Sequence, residues 1–197
     1  MLDTKKILEL AKLNNGVVTS QMVTREGLHR GSLKYLVDRG NLEFASRGVY
    51  TLPNVLDDEF VNLQYRYKRG IFSLETALFL LDLTDQTPLK FHMTFPEKYN
   101  LTSPRKEGVE CNGVSDSLYD LGIVEVKTPG DNKVKSYSAE RTLCDILKPK
   151  NNTDIQIIVT AFKQYVRKKD KNIPLLSEYS KALKVDEKLR SYLEVLL

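Results

Sequence analysis

Thr19-Ser20-Gln21-Met22-Val23-Thr24-Arg25-Glu26-Gly27-Leu28-His29-Arg30-Gly31-Ser32-Leu33-Lys34-Tyr35-Leu36-Val37-Asp38-Arg39-Gly40 is the stretch on which the reading of this chain turns. Thr19-Ser20 offers a capping hydroxyl to a short helix over Gln21 to Glu26, and Gly27 supplies the turn that follows it. A second helix runs from His29 to Arg39. Leu33, Leu36 and Val37 recur at three- and four-residue spacing and share its buried face, which leaves Arg30, Gly31, Lys34 and Tyr35 on the other side. Gly40 closes it in a left-handed cap. Beyond lie Leu42 to Ala45 and Val49 to Leu52, read as two strands around Ser46-Arg47-Gly48, with Arg47 at the tip. Helix, turn, helix and hairpin in that order make a winged helix-turn-helix.

Such a unit places the amino-terminal residues of its second helix against base edges in the major groove and uses flanking donors to hold phosphates. Ser20, Gln21, Arg30, Gly31, Ser32, Lys34, Tyr35 and Arg47 are the residues this geometry selects for DNA. Gly31 is expected to let the helix backbone approach a phosphate or base, aided by the positive end of the helix dipole. A protein-interaction adaptor built on the same unit is the blander reading.

Working outward, Thr4 is expected to cap a helix over Lys5 to Asn14 that ends at Asn15-Gly16, and Val17-Val18 to pair with the wing. Pro53-Asn54 breaks the pattern, so a boundary is set there: residues 1–54 form the winged domain and 55–197 a larger one. In the latter, helical period covers 57–69, with Gly70 stopping it, and Leu74 to Leu81. Phe91 to Phe95 reads as a strand. Residues 97–113 read as a polar loop with a strand near Val109 to Cys111. Strands over Gly122 to Lys127 and Val134 to Tyr137 flank a strong turn, Pro129-Gly130-Asp131-Asn132. Ser138 caps a helix over Ala139 to Leu147, and further helices are drawn over Asp154 to Lys168, Leu175 to Leu183 and Glu187 to Leu196. The expected class is α+β: a winged helix-turn-helix, then a mixed domain with a small sheet and a carboxyl-terminal helical bundle.

Composition agrees with a soluble globular protein, with 41% apolar and 28% charged residues among 197. No apolar run is long enough to cross a bilayer and the amino terminus lacks a secretion signal, so a cytoplasmic location is expected. Residues 1–52 hold eight Lys and Arg against five acids, which puts three of the four net positive charges on the presumed reading head.

Cys111 and Cys144 form no close pair, and with only His29 and His92 beside them no zinc site is drawn. His29 reads as a helix-start contact and His92 as a strand residue with a satisfied hydrogen bond. The run Arg167-Lys168-Lys169-Asp170-Lys171 reads as a solvated helix end. One enzyme reading competes: Glu125-Val126-Lys127, with Asp116 and Asp120 upstream, is the acid and Glu-x-Lys order of Mg²⁺ nucleases, and would give a nuclease targeted by the winged unit. The same pattern arises as an ordinary charge pair in a strand. No cofactor motif is present.

The order of parts resembles the AbiEi-type antitoxins of abortive-infection, type IV toxin-antitoxin systems. The resemblance rests on Gly16-Val17-Val18-Thr19, Arg47-Gly48-Val49-Tyr50, Ser73-Leu74-Glu75-Thr76-Ala77-Leu78, Leu83-Thr84-Asp85, Phe95-Pro96 and Glu140-Arg141-Thr142-Leu143-Cys144-Asp145, and spans nearly the whole chain. It implies a non-enzymatic repressor that binds inverted repeats in its own promoter and counteracts a nucleotidyltransferase toxin in phage resistance. Its carboxyl-terminal domain would carry the antitoxin activity. Arg141 and Asp145, four apart on one helix, are read first as a pair and second as part of an antitoxin surface.

Overall fold

The computed structural model describes residues 2–55 and 58–196 and divides into two compact units. The first comprises residues 1–68 together with 127–134, and the second 69–126 with 135–197.

In the first unit, α1 (Leu2–Leu13), β1 (Val17–Thr19), α2 (Ser20–Arg25), α3 (Gly31–Asp38), β2 (Glu43–Ser46), β3 (Val49–Thr51) and α4 (Glu59–Arg66) follow in order. Thr4 therefore lies inside α1 rather than capping it. Asn15 and Gly16 end the helix with positive φ of 50° and 84°. Thr19 caps α2, its Oγ1 accepting the Met22 N–H at 3.1 Å. The sheet runs β1-β3-β2, both pairs antiparallel, with a register shift between Phe44 and Ser46 that twists the wing. Ile7, Ala11, Val18, Val23, Leu33, Leu36 and Leu42 form the core that locks the three helices to it.

Asp58 opens α4 and also gathers distant chain. Its Oδ1 accepts the N–H groups of Phe60 and Val61 at 3.1 and 3.3 Å. Its Oδ2 accepts Thr128 Oγ1 at 2.5 Å and Asn132 Nδ2 at 2.9 Å. Asn15 Nδ2 adds a bond to the Asp131 carbonyl at 2.8 Å. Phe60, Leu63 and Tyr67 are buried, as their spacing requires; Asp57, where that helix was expected to begin, lies outside the described residues.

The second unit holds β4 (Ile71–Phe72), α5 (Leu74–Leu80), β5 (His92–Pro96), α6 (Thr102–Lys106), β6 (Glu110–Val114), α7 (Asp116–Tyr119), β7 (Ile123–Lys127), β8 (Lys133–Tyr137), α8 (Ala139–Ile146), α9 (Ile155–Arg167), α10 (Ile173–Ala182) and α11 (Asp186–Leu196). The five strands run β6-β5-β4-β8-β7; β4 is antiparallel to β5 and parallel to β8, and β5 is parallel to β6. Three elements depart from the expected pattern: β4 was not foreseen, α6 replaces loop, and α7 falls where no element is drawn from the sequence. α5, α9 and α10 pack on α8, and α11 on α9 and α10, around Leu78, Leu143, Phe162 and Leu176. Every residue of α8 from Glu140 to Ile146 is buried.

Candidate nucleic-acid interface

The candidate surface begins at α2, because its start is tied to the wing. The Ser20 N–H donates to the Gly48 carbonyl at 2.9 Å, which seats the first residue of α2 beside the turn that carries Arg47. Thr24 Oγ1 donates to the Ser20 carbonyl at 2.9 Å. Arg30 Nε in turn donates to Thr24 Oγ1 at 2.5 Å. These three bonds join Arg30, just ahead of α3, to the wing through α2. Arg30, Thr24, Ser20 and the Gly48 carbonyl are thus joined in one hydrogen-bonded line.

The rest of α3 follows from its two faces. Leu33 and Leu36 are 1% and 2% exposed, so Lys34 and Tyr35 must turn outward, and Tyr35 is 51% exposed. The Arg39 guanidinium lies 5.4 Å from the Tyr35 ring centroid, a cation–π contact that steadies the ring. Gln21, Arg30, Gly31 and Arg47 are also exposed, and Ser20 and Ser32 half-buried. Thr24 and Arg39 were left out of the sequence reading. Their signal was present, four residues after Ser20 and after Tyr35 respectively.

Gly31 has a reason for being glycine other than the expected one. A Cβ there would meet the His29 ring at 2.7 and 2.8 Å. His29 Nδ1 accepts the Gly31 N–H at 3.2 Å, and the His29 N–H donates to Asp3 Oδ2 at 3.2 Å. Gly31 makes room for the group that caps its own helix. His29 is the helix-start contact its position suggested.

Elsewhere the structure gathers some candidates and separates others. Arg141 is wholly buried and Asp145 6% exposed, which corrects their reading as an exposed antitoxin surface. Arg141 Nε donates to Asp145 Oδ2 at 2.8 Å, the pairing their spacing suggested. Arg141 Nη1 donates to the carbonyls of Leu118 and Leu121, at 2.5 and 2.8 Å, and the guanidinium lies 4.2 Å from the Tyr137 ring centroid. The cation is held where it is because these groups replace its water. His92 Nε2 lies 3.2 Å from Glu75 Oε2, while its buried Nδ1 has no partner among the described residues, so only half of the ring is satisfied.

Glu125 and Lys127 are exposed on β7, and Lys127 Nζ pairs with Asp131 Oδ1 at 2.6 Å. Among the described residues no group of three His, Cys, Asp or Glu side chains converges as metal ligands. The Glu-x-Lys sequence is here a strand charge and a turn ion pair.

Comparison with known proteins adds a likeness for the head. Residues 5–53 match the family model of the transcriptional regulator AbiEi antitoxins. Over those residues the winged domain resembles the AbiEi-type regulators. The match stops at residue 53, so the second group of motifs, from Ser73 to Asp145, lies beyond it. A crystal structure of the RV2827C protein from Mycobacterium tuberculosis is similar over 98% of this chain and 81% of that one, with a TM-score of 0.51 and 13% sequence identity. That likeness is one of fold and reaches past the residues that the family model matches. No curated protein matches the chain. No helix among the described residues is long and apolar enough to cross a membrane.

Proposed function

We propose that this chain is the antitoxin of a type IV toxin-antitoxin system, acting in the cytoplasm without catalysing a reaction. Residues 1–54 serve as the reading head for inverted repeats in its own promoter, and residues 55–197 counteract a nucleotidyltransferase toxin. The observation that carries the DNA half is the hydrogen-bonded line from Arg30 through Thr24 and Ser20 to Gly48. It fixes a cationic helix start and a cationic wing tip relative to each other, which is what simultaneous contact with a groove and its phosphates demands. Ser20, Gln21, Ser32 and Arg47 meet the sugar-phosphate chain in this reading, and Arg30, Gly31, Lys34 and Tyr35 face the major groove.

The test is titration of the chain's own promoter duplex over a range of salt, with wild type, Lys34→Ala and Arg47→Ala. Each variant should bind more weakly and lower the slope of log affinity against log salt by about one unit, with rescue from the toxin retained. Unchanged affinity and slope in both variants would reject the docking. Failure of the chain to rescue cells from a neighbouring nucleotidyltransferase would reject the antitoxin half separately.

A further inference from the structure

The buried Arg141 is not fully used by the contacts that hold it. Its Nε and Nη1 are bonded, but its Nη2 is buried with no hydrogen-bond partner among the described residues. Asp145 does not meet that need, since Oδ2 is taken by Arg141 Nε and Oδ1 by Lys148 Nζ at 2.7 Å. Arg141 lines a small pocket with Thr94, Asn112, Asp145, Lys148, Lys150 and Asn151. Its interior has room for about one oxygen, roughly 10 Å³.

We propose that this pocket receives one oxygen of a phosphoryl group, with Arg141 Nη2 as the buried donor and Lys148 and Lys150 as flanking cations. Three cations line the site against one carboxylate, Asp145. A water there would satisfy the N–H but leave the excess positive charge in place; a dianion answers both, through charge-assisted hydrogen bonds. Lys150 is exposed and Lys148 half-buried, so the remaining phosphoryl oxygens stay at the mouth. Asn151 is fixed there by its Nδ2, which donates to the Asp145 carbonyl at 2.7 Å. The site is independent of promoter binding and gives the Glu140–Asp145 segment a ligand of its own.

The test is the thermal midpoint of the full chain in inorganic phosphate and in AMP, each against sodium chloride at equal ionic strength. Phosphate should raise the midpoint of wild type by about 3–6 °C at concentrations well above its dissociation constant. Lys163→Gln, on exposed α9 surface away from the pocket lining, should keep the rise. Lys150→Gln should lose at least half of it. A larger rise with AMP at the same concentration assigns the phosphoryl group to a nucleotide; an equal or smaller one assigns it to phosphate itself. No rise overturns the proposal, and so does the same rise in Lys150→Gln as in wild type, which is general salting.

Discussion

The His29 imidazole occupies the space that a side chain on Gly31 would fill, and its Nδ1 caps the Gly31 N–H at 3.2 Å. Two effects of similar size therefore oppose each other at position 31. Alanine gains about 1 kcal/mol in helix propensity over glycine. Loss of a cap costs about 1 kcal/mol. Gly31→Ala should be near neutral or mildly destabilising in wild type, and stabilising by up to about 1 kcal/mol when introduced into His29→Ala, where the ring is gone. Urea unfolding of the four proteins checks this, and additive effects would contradict the packing.

Thr24 anchors Arg30 without facing the groove itself. In the proposed docking Thr24→Val should weaken promoter binding by about 3- to 10-fold through a freed Arg30, and Thr24→Val added to Arg30→Ala should cost little more than Arg30→Ala alone. Fluorescence-anisotropy titration with promoter DNA measures the cycle.

Asp58 supports two features with one carboxylate, the start of α4 through Oδ1 and residues Thr128 and Asn132 through Oδ2. Asp58→Ala should destabilise the chain by about 2–3 kcal/mol, combining a lost cap with lost charged hydrogen bonds. Thr128→Val should reproduce only part of that. Equal stability of Asp58→Ala and wild type in urea would refute the gathering role.

Removing one member of the buried pair strands the other. Arg141→Ala should cost about 3–5 kcal/mol, and Arg141→Met combined with Asp145→Leu should cost less than the two single changes together. Calorimetric midpoints of Arg141→Ala, of the two single changes and of their combination decide it.

Burial pushes the Cys144 thiol up to about 12 from 9.0, with the Asp145 carboxylate adding to the shift. Burial likewise raises Tyr137 and Tyr165 above the usual phenol value. Between the two thiol values the unfolded chain has released a proton that the folded chain keeps, so stability is full below the unfolded value and falls as pH rises toward the folded one. Urea unfolding at about pH 8.5 and about pH 10.5 should show the loss, and Cys144→Ala should shrink it. Thiol-specific reagents should label Cys144 only on unfolding.

The winged head was legible because its signals are local. Leu33 and Leu36 one turn apart, Gly27 and Gly40 at turns, and Ser46-Arg47-Gly48 between two strands each speak for a few neighbouring residues, and the observed bounds differ from the expected ones by three residues at most. In the larger part, β4 escaped notice because Ile71 and Phe72 are too few to show alternation. Thr102 to Lys106 looked like loop since Pro104 lies within, and Gly108 just after, a helix of only five residues. The pairing of Arg141 with Asp145 could be read from a spacing of four. That both are enclosed could not, because what solvates the guanidinium is the carbonyls of Leu118 and Leu121, more than a dozen residues earlier. For the same reason nothing near Asp58 in sequence announces its partners 70 and 74 positions away.

That last arrangement bears on how the head can be handled. Residues 127–134 belong with 1–68, so a recombinant piece ending at either Asn54 or Lys68 would omit chain that the winged unit uses to complete itself. Cut at Asn54, it also lacks Asp58; cut at Lys68, it keeps an acid stripped of both its remote donors. A weak interaction with promoter DNA measured on such a fragment would report the damage done by the scissors.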